Sequence, residues 1–300
     1  MDTVGIIGVG VMGLTAAGKI LEAGHSLVVY DVMAQSKDKA QKLGAMVVDT
    51  PAEIANQTNI ILLFLPGPKE VTICVKAPDG LLSAAHQDMI IVDLSTIDPG
   101  TTQQMAMLAQ ERDVGYLDAP VLGRPATVGQ WALPVGGKKE DLERCMPIFE
   151  LFAAKVFHIG GCGSGNKIKL LNQLMFGAIN AMTAEMMALS EKMGISPGLL
   201  YETITASQAG TVSNLFKELG ARITAENYRD PTFTVDLLIK DVHLAVEMAR
   251  ENGAPPLLGR TIEFINEMAQ AQGFGRNETA IMWKCFQKIW GEQKKGLSEH

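Results

Sequence analysis

The chain has 300 residues, 47% of them hydrophobic and 20% charged, a balance that suits a folded protein with a large core and room for two domains. A formal charge of -7 speaks against a nucleic-acid binder, which needs a basic footprint, but leaves a small anionic substrate open, because such a ligand answers to local charge. Cys74, Cys145, Cys162 and Cys285 are scattered without a C-x-x-C pair, the histidines lack metal-ligand spacing, and no run approaches the about 18 apolar residues of a membrane span. The expectation is a reduced, cytoplasmic protein without disulfide, metal, leader or membrane anchor.

Short apolar runs alternate with helical patterns through the first half, the signature of parallel strands joined by crossover helices. Strands are expected at 3–7, 26–30, 60–64, 89–93, 115–119 and 131–135, with helices between them, for example 13–23 and 36–43. The first strand runs into Gly8-Val9-Gly10-Val11-Met12-Gly13. Gly8 permits a tight turn, Gly10 lets a dinucleotide pyrophosphate approach the backbone, and Gly13 lets the helix pack closely on the strand. The phosphates then meet the free N–H groups and the positive dipole end of that helix. Alone, G-x-G-x-x-G is a weak signal; here it has its strand, its helix and its acid. The acid is Asp31, which closes the second strand. Its carboxylate suits the ribose hydroxyls of NAD and would repel the extra phosphate of NADP, and the following Val32-Met33-Ala34-Gln35 contains no arginine. NAD is therefore expected in preference to NADP. Leu65-Pro66 and Thr96 close two later strands at the carboxyl edge, where ligands bind in such sheets, although each also reads as an ordinary strand-end turn.

From Lys167 onward strand patterns vanish. Residues 167–193 read as one long helix, with Gly177, Ala178, Ala181, Ala184 and Ala188 among larger side chains, a packing spine or a dimer seam. Further helices are expected at 197–206, 212–221, 235–252, 255–272 and 278–291, and the tail 294–300 reads as frayed. Met175, Met182, Met186, Met187 and Met193 read as core filler. The natural division is a Rossmann-type, doubly wound parallel-sheet NAD-binding domain over 1–163 and an all-helical substrate and oligomerisation domain over 164–300. At the junction, Gly161-Cys162-Gly163-Ser164-Gly165-Asn166 leads into a helix bearing Lys169, Asn172 and Gln173. Spacings of three and four put those side chains on one helix face, where they can converge on a small ligand. A lone lysine is more often a surface residue, but one that shares a chain with a redox-cofactor turn is a candidate proton carrier.

Four segments in register resemble the β-hydroxyacid dehydrogenase (3-hydroxyisobutyrate dehydrogenase) family, over essentially the whole chain. They are the turn from Gly8 to Gly13; Asp118-Ala119-Pro120-Val121-Leu122-Gly123-Arg124, similar to the usual D-A-P-V-S-G-G; Gly163 to Gln173, similar to G-x-G-x-x-x-K-x-x-N-N; and Lys240-Asp241. The resemblance implies reversible NAD-dependent oxidation of a small 3-hydroxy acid to its semialdehyde or ketone, with Lys169 as general acid and base. It further implies that Asn172 orients substrate or lysine, that Leu65, Pro66, Thr96 and Lys240 line the nicotinamide end, and that the protein is a homodimer or homotetramer. Two departures matter. The family serine that holds the substrate carboxylate is here Leu122, and the second glycine of that loop is Arg124, in a stretch about two residues shorter than usual. An arginine fork suits a carboxylate, sulfonate or phosphate oxygen pair, so Arg124 is a candidate anion anchor, the other reading being a solvent-facing side chain beside Pro125. Gln173 replaces an asparagine and reaches one methylene further. The alternatives are an imine or carbonyl reductase of the related superfamily and a cofactor-binding protein without catalysis; retention of Lys169 speaks against both. Trp131 fits either core or pocket wall.

Overall fold

The computed structural model describes residues 3–206, 213–254 and 256–291; the expected frayed tail, and Val212 and Pro255 at the heads of two expected helices, lie outside the described residues. The chain forms two compact units, one ending at Leu170 and the other beginning at Leu171.

In the first unit the elements run β1 (Thr3–Ile7), α1 (Val11–Glu22), β2 (Ser26–Tyr30), α2 (Ala34–Lys42), β3 (Met46–Val47), α3 (Pro51–Ala55), β4 (Ile60–Leu63), α4 (Pro68–Lys76), β5 (Ile90–Asp93), α5 (Pro99–Gln110), β6 (Gly115–Asp118), β7 (Trp131–Gly137), α6 (Lys139–Phe149), β8 (Ala153–Gly160) and the start of α7 (Ser164–Lys192). Among the described residues they build one eight-stranded sheet in the order β3-β2-β1-β4-β5-β6-β7-β8. Alternation along the strands gives the sheet two dry faces. Val4, Ile6, Leu62, Ile90, Val92 and Leu117 enter one core, and Ile7, Val28, Ile61, Leu63, Ile91 and Tyr116 enter the other. The strand order reverses between β1 and β4, so a ligand crevice opens at their carboxyl ends.

The sheet departs from the expected all-parallel pairing at one place: β7 runs antiparallel to β6. The intervening segment carries only a single 3-10 turn, Pro125–Thr127, and no crossover helix, so the chain returns alongside the strand it has just left. Strands β3 and β8 went unanticipated. The first is two residues long; the second is an edge strand whose Lys155, Phe157, His158 and Ile159 are half-buried or exposed, which erases the apolar run by which a buried parallel strand is recognised.

The second unit contains the rest of α7, then α8 (Pro197–Ala206), α9 (Asn214–Thr224), α10 (Val235–Glu251), α11 (Leu257–Ala271) and α12 (Met282–Trp290), with no strand among its described residues. The small residues of α7 are a packing spine: a Cβ on Gly177 would stand 2.8 Å from Ile262 and 3.1 Å from Val242, so α10 and α11 lie close against it. The methionines correct the reading of the helix. Met187 is fully buried, but Met175, Met182, Met186 and Met193 are exposed. Their spacing of 7, 4 and 7 residues puts these four on one stripe, opposite the small residues that face the core. The fully buried Glu278 accepts hydrogen bonds from the Thr232, Phe233 and Thr279 N–H groups and closes the turn before α10.

Candidate active site

The turn after β1 is set by contact as much as by conformation. Gly8 has φ +89°, and a Cβ there would lie 2.3 Å from the Phe64 carbonyl oxygen at the end of β4. A Cβ on Gly13 would lie 2.0 Å from the Gly8 carbonyl, which measures how tightly α1 sits against the turn. Gly10 is different: a Cβ there would meet nothing within 4 Å. As the cap of α1 it offers no side-chain acceptor, so the protein supplies no cap acceptor there for the leading N–H groups at the positive end of the helix. Val11 is exposed beside it and Met12 packs on the core. This cradle fits a dinucleotide pyrophosphate, which needs close backbone approach and unsatisfied donors.

Asp31 joins the turn to the end of β2. Its Oδ2 accepts from the Val9 N–H and its Oδ1 from the Met33 N–H, both at 2.8 Å. A carboxylate oxygen has more than one acceptor site, so the group can hold the turn and still accept from ribose hydroxyls. At the neighbouring strand ends the Leu65 N–H donates to Ser95 Oγ at 2.9 Å, tying the Leu65-Pro66 segment to the Ser95-Thr96 segment. Leu65 and Thr96 are half-buried and Pro66 is exposed.

Behind this edge lie two fully buried carboxylates, Asp93 and Asp118, paired across β5 and β6. Asp93 accepts from the Ser95 N–H at 2.9 Å and the Tyr116 hydroxyl at 3.2 Å. Burial pushes it up to about 7, against the lowering effect of those bonds. Asp118 accepts from the Gly163 N–H at 2.7 Å and the Asn166 N–H at 2.8 Å, and burial lifts it to about 6 despite these and other backbone donors. It therefore caps the first turn of α7. Close approach makes this possible: a Cβ on Gly165 would lie 2.3 Å from the Pro134 carbonyl oxygen. Asn166, also fully buried, locks the same turn to the end of β5. With its amide oriented to satisfy both ends, the nitrogen faces the Ser95 and Ile97 carbonyls at 3.3 Å and the oxygen accepts from the Thr102 hydroxyl at 3.2 Å.

One turn further along α7, Lys169 donates from Nζ to the Val121 carbonyl oxygen at 2.9 Å. Leu122, Gly123 and Arg124 follow Val121 directly. Leu122 bridges to Ala132 on β7, and the Trp131 indole N–H donates to the Arg124 carbonyl oxygen at 2.7 Å. Trp131 is thus core, fully buried and edge-on to Phe152 with ring centroids 5.8 Å apart.

In the second unit, Asn172 is exposed and donates to the Gln173 Oε1 at 3.3 Å. Gln173 is buried and donates to Asp241 Oδ2 at 2.6 Å, while Lys240 pairs with Asp241 Oδ1 at 2.7 Å. The extra methylene of Gln173 is spent on reaching this buried carboxylate. Within the first unit, then, the structure brings together Gly8, Gly10, Gly13, Asp31 and Leu65 at one sheet edge, and Lys169 with the 122–124 loop. Within the second it joins Asn172, Gln173 and Lys240 through Asp241. Sequence reasoning missed Asp93, Asp118 as a helix cap, Asn166 and the part played by Trp131. The available signal for the first three was a polar residue closing an apolar strand or opening an apolar helix, where an unpaired polar group would be costly.

Two family models match: the NAD binding domain of 6-phosphogluconate dehydrogenase over residues 3–160, and the NAD-binding domain of NADP-dependent 3-hydroxyisobutyrate dehydrogenase over residues 163–286. The chain is 29% identical to 2-(hydroxymethyl)glutarate dehydrogenase of Eubacterium barkeri, across 98% of this chain and 97% of that one. It is 30% identical to 3-sulfolactaldehyde reductase of Escherichia coli, across 93% of each. The crystal structure of 3-hydroxyisobutyrate dehydrogenase from Salmonella typhimurium superposes with a TM-score of 0.88 at 25% identity, covering 95% of this chain and 99% of that one.

The raised Asp93 carboxyl has a thermodynamic signature. Between its ordinary value of 3.8 and about 7 the folded chain holds a proton that the unfolded chain has lost, so the stability this group contributes is full below that interval and is lost as pH rises through about 7. Asp93→Asn keeps an acceptor for the Ser95 N–H and removes the titration. The melting temperature of this variant is expected to gain on that of the parent protein as pH rises from about 6 to about 8, and a difference independent of pH would overturn the assignment.

Proposed function

The chain belongs to the β-hydroxyacid dehydrogenase family, and we propose that it interconverts a small anionic 3-hydroxy acid and its semialdehyde, with NAD as redox partner and Lys169 as general acid and base. The coarse activity, a nicotinamide-dependent hydroxyacid oxidoreductase, follows from the family. The observation that carries the finer reading is the Lys169–Val121 hydrogen bond, which fixes a proton-bearing nitrogen beside the loop holding Arg124.

In this reading Gly8, Gly10, Gly13 and the start of α1 hold the pyrophosphate, and Asp31 accepts from the ribose hydroxyls, which favours NAD over NADP. Leu65, Pro66 and Thr96 border the nicotinamide end, and Lys240 is assigned there by family resemblance. The reduced cofactor supplies a hydride to the substrate carbonyl carbon. The Lys169 ammonium donates a proton to the carbonyl oxygen, and in the oxidising direction its neutral amine takes that proton back. One of its hydrogens is committed to Val121, which holds the nitrogen in place through both steps. Asn172, one turn beyond Lys169 on α7, orients the substrate or the lysine, and Gln173 holds the buried Asp241. Arg124 takes the place of the family serine and grips the substrate anion, with Leu122 and Gly123 as the wall of that subsite. The relatives named for 2-(hydroxymethyl)glutarate, 3-sulfolactaldehyde and 3-hydroxyisobutyrate have substrates that all carry a carboxylate or sulfonate, in keeping with such a subsite. The protein acts in the cytoplasm as a homodimer or homotetramer, and the exposed stripe of Met175, Met182, Met186 and Met193 is the face offered to another copy.

Four measurements test this reading. Purified protein is expected to oxidise NADH faster than NADPH with at least one of a panel of succinic, methylmalonic and tartronic semialdehydes and sulfolactaldehyde. Lys169→Ala should cost about 10²–10⁴-fold in turnover while NADH binding persists; loss of binding instead would make the lysine a structural residue. Arg124→Ala should raise the KM for the anionic substrate about tenfold or more, the worth of a charge-assisted bond, and an unchanged KM would end the anchor assignment. Light scattering should give a multiple of the chain mass, shifting toward monomer in Met182→Glu.

A further inference from the structure

We propose that Trp131 is a positioning residue for substrate specificity in this chain: it presents Arg124 on a rigid turn. The inference rests on the reading of Arg124 as the anion anchor and adds to it a cause for the anchor's direction.

Three contacts immobilise the turn. Leu122 and Ala132 exchange backbone hydrogen bonds of 2.9 and 3.1 Å, stitching the entry of the turn to β7. The neighbouring Trp131 then reaches across, and its indole N–H donates to the Arg124 carbonyl oxygen at 2.7 Å. The Arg124 N–H donates to Thr127 Oγ1 at 3.2 Å, and the Thr127 N–H returns to the Arg124 carbonyl at 3.0 Å. Both peptide groups flanking the Arg124 Cα are therefore held, so the direction in which its side chain leaves the backbone is held too.

The ring of Trp131 also does the work of a side chain at position 123. A Cβ on Gly123 would lie 2.2 Å from the indole, inside its van der Waals surface, so the indole and any residue larger than glycine exclude each other. Trp131 has no freedom to yield: it is fully buried, with Phe152 edge-on to it and Phe149 behind that ring. A buried indole N–H needs an acceptor, and the Arg124 carbonyl is the one it has. An aliphatic residue at 131 could fill the core but could not fix the carbonyl. The turn would then be a surface loop, and a long cationic side chain on it would give up rotational freedom each time it gripped an anion.

The test is a cycle of Trp131→Phe and Arg124→Ala, with the dissociation constant of NADH, kcat, and KM for the best anionic semialdehyde and for an uncharged aldehyde. Trp131→Phe should raise the anionic KM about fivefold, the worth of one buried hydrogen bond, leaving kcat, NADH binding and the uncharged KM unchanged within about twofold. In the Arg124→Ala background it should add nothing, because it acts only through that side chain. Equal losses with both aldehydes, additive effects in the double variant, or an unchanged anionic KM would each overturn the proposal. If Trp131→Phe does not fold, benzothienylalanine at position 131 keeps the ring shape and replaces the N–H with sulfur, and the same outcomes decide. An unchanged KM in Arg124→Ala would remove the anchor reading and this proposal with it, whereas a raised KM there with none in Trp131→Phe removes this proposal alone.

Discussion

Most of the candidate chemistry depends on one buried carboxylate. Asp118 has no exposure to solvent, and burial lifts it to about 6; the bonds that resist this rise come from the first turn of α7. A helix start is the place where a buried carboxylate is cheapest, because the leading N–H groups lack partners and the dipole there is positive. By satisfying Gly163 and Asn166 together, Asp118 fixes where α7 begins and how it is rotated. One turn later that rotation delivers Lys169 to the Val121 carbonyl, three residues beyond Asp118 itself. Strand end, helix start, lysine and the loop that follows Val121 thus form a closed ring of contacts, and no member can shift without straining the next.

The same device recurs. Asp31 holds the N–H groups of Val9 and Met33, and Glu278 holds those of Thr232, Phe233 and Thr279. In each case an acceptor-only side chain satisfies donors that the regular structure leaves over, and so pins an irregular segment that packing alone would leave loose. Asp241 is used differently: its partners Gln173 and Lys240 are side chains, which makes it a relay between two residues and not a clamp on the backbone.

Those clamps mark the limit of what the sequence discloses. The strands β1 and β2 and the long α7 are legible because periodicity and glycine placement are local properties. The Gly8–Gly13 turn and Lys169 are legible for the same reason, aided by resemblance. The direction of β7 is not local, since it depends on a connection that holds one 3-10 turn where a helix was assumed. Edge strand β8 lacks the buried run by which parallel strands announce themselves. The α7 methionines have a helical period that reads equally as core or as surface, and only the position of the small residues opposite them decides. Asp118 in a motif reads as one polar letter among several, and nothing in its neighbours says that its partners lie 45 and 48 residues away. Trp131 is the extreme case: its ring leaves no room for a side chain at Gly123 and its indole N–H holds the Arg124 carbonyl, two contacts that no local pattern announces.

The double engagement of Asp31 bears on how this lineage could change coenzyme. If Asp31 selects NAD as proposed, the side chain that would have to leave to admit a 2′-phosphate is also the staple of the glycine turn. Any descendant that exchanged it for a small or basic residue would release two backbone donors and loosen the phosphate cradle in the same step. On the proposed reading of Asp31, a switch of coenzyme therefore lies across a fitness valley for this chain. Its passable route begins with a neutral change that supplies the Val9 and Met33 amides with another acceptor, and only afterwards reaches the aspartate.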